Sequence, residues 1–265
     1  MKIDIVGAGL AGLLAARILR HRGISIFEKQ KELPNNHSAV LRFRSSVVGD
    51  SVGIPFRRVT VIKTVVPWRN QVADALAYSM KNTGCMRSDR SILYGDEVVE
   101  RFIAPPDFIA QLAAEVHTKL DKEYPWYDQV RPVISTIPMP ALMAALKYPH
   151  RDQLQFDYRS GWNIKALLPN VEAYVTLTVP DPSLPFSRVS ITGSELIVEV
   201  PGMNDACESD MMKVKDNILY GALQLLGLGL GHCHEVKISR QLYSKILPID
   251  DAARREFIYW ASHEH

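Results

Sequence analysis

Three glycines near the start of the chain have the spacing of a diphosphate-binding turn. Residues 2–30 read KIDIVGAGLAGLLAARILRHRGISIFEKQ, and Gly7, Gly9 and Gly12 form a GxGxxG pattern. The first glycine permits a tight turn, the second lets a diphosphate approach the backbone, and the third lets a helix pack closely on a sheet. An acid after the next strand, Glu28, can accept hydrogen bonds from ribose hydroxyls. The pattern therefore predicts dinucleotide binding.

The elements that must position these residues are predicted from the same stretch. IDIV indicates a buried strand, LLAARILRHR has apolar residues at helical spacing, Gly23 is a candidate helix stop and ISIF indicates a second strand. The N–H groups of the first helical turn would face the phosphates. The residues expected around the dinucleotide are Gly7, Ala8, Gly9, Leu10, Ala11, Gly12, Glu28 and Lys29. The alternative is a βαβ unit whose glycines serve packing alone.

Bulk composition excludes several classes of protein. The 265 residues are 47% hydrophobic and 23% charged, with a net charge of +2, so no global field favours nucleic acid or membrane. The three cysteines lack a CxxC pair and favour a reducing, cytoplasmic compartment. The N-terminus does not have the pattern of a signal peptide, and no apolar run is long enough for a membrane span.

A second stretch separates FAD from NAD, which the glycine pattern alone does not. The acid is followed by Lys29, and residues 132–146 read PVISTIPMPALMAAL. Together these resemble the flavoprotein superfamily of amine oxidases, protoporphyrinogen oxidase and UDP-galactopyranose mutase, with a glutathione-reductase-like fold. The resemblance implies bound FAD, a return strand, and a turn near the flavin that contains Thr136 and Pro138. An ordinary strand, turn and helix is the alternative for this piece alone.

The segment after Lys29 departs from the superfamily, because it lacks the usual Gly-Gly-Arg element that contacts the diphosphate. It contains HSAVLRFRSS, in which Arg42 and Arg44 alternate on one face of an extended segment. Either arginine could contact a phosphate bidentately. The alternative is a pair of solvated arginines on an edge strand. His37 is a weaker candidate near the flavin, since a histidine after an Asn-Asn turn is more often structural.

Several short matches also resemble small FAD-dependent oxidoreductases encoded by bacteriophages. They are NNHSAVLRFRS, ERFIAPPDFIAQL, RPVISTIPMPAL, LPFSRVSITGSELIVEV and KILPIDDAARREFIYWA. This resemblance implies oxidation of a C–N bond in an amine, on a small or nucleotide-linked substrate, as in thymidine hypermodification. The chain ends at FIYWASHEH, before the flavin-facing strand and helix expected for such proteins. A partner chain or second copy completing that contact is therefore one expectation.

The predicted fold class is α/β: a Rossmann-like FAD-binding domain with a parallel sheet, interleaved with a smaller α+β substrate domain containing an antiparallel sheet. VEAYVTLTV, RVSITG and ELIVEV alternate in polarity and predict that antiparallel sheet, whereas PPDFIAQLAAEVHTKLDKEY predicts one long helix. The predicted division gives residues 1–50 and 131–150 to the FAD-binding domain. Residues 51–130 and 151–248 go to the substrate domain, and 249–265 to a return helix.

Other chemistry has weaker support. His232 and His234 in HCHE would share a strand face, but no second ligand cluster has matching spacing, so we expect no metal. WYDQVRP and PWRN mix aromatic and basic residues, which could stack on bases but more often pack. No catalytic residue is identified. A redox-neutral flavin-dependent mutase, an NAD(P)-dependent oxidoreductase and a non-catalytic nucleotide-binding subunit remain alternatives.

Overall fold

The computed structural model contains two β-sheets linked by helices. It describes residues 2–33, 41–84, 86, 92, 94–127, 131–154, 156, 160–202, 206–242 and 251–263. The strands are β1 (Ile3–Val6), β2 (Ile24–Phe27), β3 (Arg42–Phe43), β4 (Arg57–Val65), β5 (Glu97–Ile103), β6 (Thr118–Lys119), β7 (Val133–Ser135), β8 (Ser160–Leu167), β9 (Ala173–Thr178), β10 (Arg188–Gly193), β11 (Glu195–Pro201) and β12 (His234–Leu242). The helices are α1 (Leu10–Ile18), α2 (Val47–Val52), α3 (Gln71–Thr83), α4 (Phe108–Ala114), α5 (Met139–Ala145), α6 (Glu208–Gln224) and α7 (Asp251–His263).

The two sheets differ in strand direction, as the fold class predicts. The smaller sheet has the order β6-β2-β1-β7, and all its pairs are parallel. The larger sheet has the order β12-β8-β11-β10-β9-β4-β5-β3 and is antiparallel except between β4 and β9. The predicted return strand is β7, which pairs with β1, and the three alternating segments form β9, β10 and β11. The predicted α/β class is confirmed.

Separate apolar clusters hold the layers together. One lies between the small sheet and α1, α2 and α4, and includes Ile5, Leu13 and Ile26. A second lies between one face of the large sheet and α6, while a third joins α5 to α7 through Tyr148 and Phe257. Along the part of the chain that the structure describes, no helix combines the length and apolar character needed to cross a bilayer.

The long helix predicted from Pro105 to Tyr124 is wrong beyond its first turns. Helix α4 ends at Ala114, and the chain then forms β6 beside β2. The N–H of Glu28 donates to the carbonyl of Lys119 at 3.0 Å, so this short strand supplies the acceptor that the edge of β2 requires. Both α4 and β6 therefore lie with the small sheet, whereas the division of the chain into domains stays a prediction.

One further segment differs from the sequence prediction. The extended segment carrying both arginines is shorter than expected, because β3 contains Arg42 but not Arg44. His37 lies outside the described residues.

Helix α3 is fixed at its start by two polar side chains. Asn70 caps it, since its Oδ1 accepts from the Ala73 N–H at 3.0 Å. The fully buried Asp74 accepts from the backbone N–H groups of Trp68 and Arg69 and from the Tyr94 hydroxyl, at 3.0, 2.9 and 2.5 Å. Burial alone would raise the pKa of Asp74, but these hydrogen bonds outweigh it and hold the pKa below its ordinary value.

Replacing Asp74 with Asn should destabilise the fold, because an amide cannot satisfy all three donors. We expect Asp74→Asn to lower the free energy of unfolding by about 1–3 kcal/mol at neutral pH in urea titrations. A carboxyl with a depressed folded-state pKa stabilises the protein above its unfolded pKa, and this contribution is lost as pH falls through the folded value. The wild type should therefore approach the variant below about pH 4. The exposed Asp96→Asn is the control, and an equal loss there would contradict the assignment.

Candidate dinucleotide-binding site

The turn after β1 is built by two glycines in close contact. Gly7 has φ of 98°, which a residue with a side chain rarely adopts, and its N–H donates to the Phe27 carbonyl at 2.9 Å. A Cβ on Gly12 would lie far inside van der Waals distance of the Gly7 carbonyl oxygen. Helix α1 therefore packs against the turn only because position 12 has no side chain.

Gly9 has a different environment. Its backbone is extended, with φ of −68° and ψ of 179°, and a Cβ there would meet nothing within 4 Å. Gly9 is also the N-cap of α1, and neither a side-chain cap nor an acidic residue occupies the first turn. The first N–H groups of a helix have no intrahelical acceptor, and the helix dipole makes this end positive. The space beside Gly9 therefore suits an anion.

Glu28 lies at the carboxyl end of β2, beside the glycine turn. Its Oε2 accepts from the Ala8 N–H at 2.7 Å, and its Oε1 accepts from the Gln30 N–H at 2.9 Å. Each carboxylate oxygen has a further lone pair, so the group can still accept hydrogen bonds from a ligand. The two backbone donors hold the carboxylate in place without consuming its capacity.

A cavity of about 930 Å³ opens beside these residues, on the small-sheet face opposite α1. It is bounded by the ends of β1 and β2, by residues 122–127, by the turn at residues 136–138 and by α5 along its length. A neighbouring cavity of about 690 Å³ shares Gly9, Glu28, Lys29 and Gln30 with it. The combined space is large enough for an extended ligand, since ligand pockets span about 300–1,000 Å³.

Aromatic rings form one wall of the larger cavity. Phe27 and Tyr124 meet edge to face with centroids 4.8 Å apart, and Tyr124 and Trp126 do so at 5.0 Å. The Tyr124 hydroxyl donates to the buried Asp4 carboxylate at 3.3 Å, and burial together with Asp4 raises the pKa of Tyr124 to about 12. The ring is therefore held as a neutral phenol.

Lys29 lies at the rim of the cavity. Its Nζ is 2.5 Å from Oε1 of Glu123, and both side chains are mostly exposed. The hydrogen bond and charge of Glu123 raise the pKa of Lys29, while Lys29 lowers that of Glu123. This ion pair joins residue 29 to the segment that carries the aromatic wall.

Thr136 and Pro138 lie where the sequence suggests, next to the glycine turn. The Thr136 hydroxyl is 3.1 Å from the carbonyl oxygens of Val6 and Gly7, to either of which it can donate. Its backbone N–H donates to Val6 O at 2.9 Å. Pro138 is the N-cap of α5, and both residues line the larger cavity.

The two arginines are placed differently from the other candidates. Neither lines the two cavities described above. Arg42 extends over the large sheet to Thr176 and Ser190, and Arg44 is exposed, close enough to Glu97 to lower the pKa of that carboxyl slightly, after the main effect of Lys63. A diphosphate contact from either arginine stays a prediction.

Sequence reasoning missed Tyr124 as a lining residue because it lay in the long helix that does not form. Trp126 and Tyr127 were noted only as part of the aromatic and basic WYDQVRP. In HCHE, the His232 ring instead lies 3.1 Å from the Gly229 carbonyl. Among the described residues, no group of three or more His, Cys, Asp or Glu side chains could hold a metal ion.

Comparisons with known proteins support the fold. No protein-family model matches the sequence, and no curated protein matches it. Solved structures do: reduced UDP-galactopyranose mutase has a TM-score of 0.59 at 13% identity, covering 93% of this chain and 82% of its own. An oxidoreductase from Methanosarcina mazei has a TM-score of 0.55 at 14% identity, covering 93% and 89%.

Glycine oxidase from Geobacillus kaustophilus has a TM-score of 0.51 at 16% identity, covering 94% of this chain and 83% of its own. Identities this low establish the fold and leave the chemistry to be argued from the site. The chain thus shares the two-sheet α/β fold of these oxidoreductases and of the mutase, over nearly its whole length.

The glycines of the turn should separate stability from ligand binding. We expect Gly9→Ala to change the free energy of unfolding by less than about 1 kcal/mol, because its backbone is compatible with alanine and its surroundings are open. The same change should weaken ADP binding about tenfold or more, since a methyl group would occupy the space where a diphosphate approaches. Equilibrium dialysis against ADP and urea unfolding measure the two quantities.

Gly12→Ala should show the opposite pattern. Its added methyl group meets a backbone carbonyl, so we expect a loss of about 1–3 kcal/mol in the free energy of unfolding. Gly231→Ala, at an exposed position with open surroundings, is the matched control. Equal effects of the alanine substitutions at positions 9 and 12 on stability would contradict the roles assigned to them.

Proposed function

We propose that this protein is an FAD-dependent oxidoreductase that oxidises a C–N bond of an amine. The observation that carries the proposal is the open space beside Gly9, bounded by the free N–H groups of α1 on one side and by the Glu28 carboxylate on the other. A diphosphate and a ribose joined to it need these two kinds of partner, a short distance apart.

The residues present fit the adenosine diphosphate part of FAD. The N–H groups at the start of α1 would hold the diphosphate, and Glu28 would accept from the ribose hydroxyls. The aromatic wall formed by Phe27, Tyr124 and Trp126, whose rings meet edge to face, offers apolar contacts for a base beyond that ribose. The chain would thus contact the diphosphate, the ribose and the base in the order in which the ligand carries these groups.

The flavin end is supported by the turn after β7. The Thr136 hydroxyl donates to the carbonyl of Val6 or Gly7 and so fixes the turn, and the residue also lines the cavity, where it would contact the ligand. The backbone of Ile137 and Pro138 lines the cavity and provides a rigid boundary, since proline fixes its own φ. When bound, FAD would accept the hydride removed from the substrate. The protein's contribution is positioning and exclusion of water.

The amine class comes from the resemblance to amine oxidases and phage oxidoreductases, and glycine oxidase is among the similar folds. As the finer proposal, the substrate is a nucleotide-linked amine, as in thymidine hypermodification. The enzyme would then act in the cytoplasm of a host cell. Each of these rests on sequence resemblance and adds to the site's own geometry.

The visible absorption spectrum of the purified protein after incubation with FAD tests the cofactor. A flavin band that stays with the protein through gel filtration supports the proposal, whereas retention of NADH instead contradicts it. Anaerobic addition of a panel of primary amines, including 5-aminomethyl-deoxyuridine, tests the reaction. Bleaching of the flavin band by an amine is expected, and activity without any bleaching or acceptor consumption would favour the mutase alternative.

The Glu28 carboxylate should be required for nucleotide affinity. We expect Glu28→Gln to weaken binding of FAD and of ADP about tenfold or more, because hydrogen bonds to a charged acceptor are worth about 1.5–3 kcal/mol. Fluorescence quenching of FAD on binding and dialysis against ADP measure the two affinities. The exposed Glu172→Gln is the control. A loss for FAD but not for ADP would place Glu28 elsewhere than at the adenosine ribose.

A further inference from the structure

The large sheet has two faces of opposite character. Strands β8 to β11 direct alternate residues toward α6, and these are apolar, including Ile164, Val189 and Val198. The residues between them face the other way and are largely polar, yet they too are buried: Asn163, Thr176, Ser190 and Thr192. A buried polar face requires partners for its hydrogen-bonding groups.

Arg42 reaches this polar face from the far edge of the sheet. Its Nη1 donates to Thr176 Oγ1 at 3.2 Å and its Nη2 to Ser190 Oγ at 3.3 Å. In the strand order, β3 is three places from β9, or about 14 Å in a flat sheet. The contact therefore requires the sheet to curl, so that Arg42 lies across its concave side.

Among the described residues, the guanidinium of Arg42 makes no direct ion pair with a carboxylate, and its hydrogen bonds go to Thr176 and Ser190. The carboxylate whose charge acts on Arg42 is Glu199, and it is bound by Arg188, whose Nη1 donates to both its oxygens at 3.1 and 3.2 Å. The second terminal nitrogen of the same guanidinium, Arg188 Nη2, donates to the Tyr78 hydroxyl at 2.7 Å. Two guanidinium groups thus share one carboxylate, and Arg42 makes its described hydrogen bonds to neutral hydroxyls only.

The electrostatics agree with this geometry. Burial, then the charge of Arg188, lowers the pKa of Arg42 from its ordinary value, and the charge of Glu199 compensates only in part. A partly buried cation without a paired carboxylate is unfavourable for the free protein. A bound anion would remove that cost, and a side chain that costs stability is typical of a functional site.

We propose that Arg42, with Thr176 and Ser190, binds an anionic group of the substrate, a carboxylate or a phosphate, on the concave face of the large sheet. The planar guanidinium can offer two parallel N–H groups to such an anion. Both hydroxyls accept from Arg42, and Ser190 Oγ donates to Thr176 Oγ1 at 3.4 Å, which leaves the hydrogen of the Thr176 hydroxyl for a ligand. That the anion belongs to a substrate rests on the proposed function, whereas the existence of the anion site does not depend on it.

Thermal unfolding followed by circular dichroism tests the site. The protein is saturated with FAD, so that the N-terminus of α1 is filled, and titrated with benzoate or with inorganic phosphate at constant ionic strength. We expect one of the two anions to raise the midpoint in a saturable way, because a ligand that binds only the folded state stabilises it. Benzoate and phosphate distinguish the two sources of the anionic group.

Arg42→Met keeps the length of the side chain and removes its charge. We expect it to raise the midpoint without anion and to weaken the apparent affinity for the effective anion about tenfold or more. Ser190→Ala keeps the arginine and should show a smaller loss. The exposed Arg58→Met is the matched control, and its anion response should equal that of the wild type.

Three outcomes would overturn the assignment. The first is that neither anion shifts the wild-type midpoint. The second is that the Arg42→Met variant responds to the anion as the wild type does. The third is that this variant loses FAD and keeps its anion response. The third result would indicate that Arg42 binds the diphosphate of the cofactor. If the wild type retains no FAD, the proposed function fails by itself, and the same titrations with saturating ADP still test the anion site.

Discussion

The close approach of α1 to the turn after β1 is the constraint on which the rest of the site depends. It exists because Gly12 has no side chain to meet the Gly7 carbonyl, and because Thr136 fastens the same turn from the neighbouring strand. That packing points the start of α1 at the edge where Glu28 also lies. The positive end of the α1 dipole and the Glu28 carboxylate therefore lie side by side because the backbone of the turn is held in place.

In the larger sheet, side chains that alternate between its two faces separate apolar from polar residues. One face is sealed by α6 and supplies the apolar core, while the other keeps polar groups under cover, including the Arg188–Glu199 pair. A sheet used only for stability would have little reason to bury Asn163 or Ser190. The division of labour between its faces fits a scaffold that presents polar groups to a ligand.

The sequence predicts best where local pattern and tertiary structure agree. The glycine spacing and the strand just before Glu28 are short-range signals, the return strand before Thr136 is implied by the resemblance, and each element forms where it was expected. The end of α4 was not predictable in this way. The apolar spacing continues past Ala114, and only pairing with β2 draws the chain into β6.

The position of Arg42 shows the same limit for a functional group. Its strand was expected to be extended, which is correct, but its hydrogen bonds join residues 134 and 148 positions apart. They depend on the curl of a sheet whose central strands come much later in the chain. A tyrosine such as Tyr124 is likewise recognisable as a wall of the cavity only once β6 has placed it beside Phe27.

The order of the small sheet also governs how a nascent chain can mature. Its first two strands leave the ribosome early, but their outer partners, β6 and β7, follow only after β3, β4 and β5 of the other sheet. Until then both edges of the β1–β2 pair stay unpaired, and the hydroxyl that fastens the glycine turn has not been made. The proposed binding of a nucleotide would therefore require synthesis to have passed Thr136, although the glycine motif is made well before it.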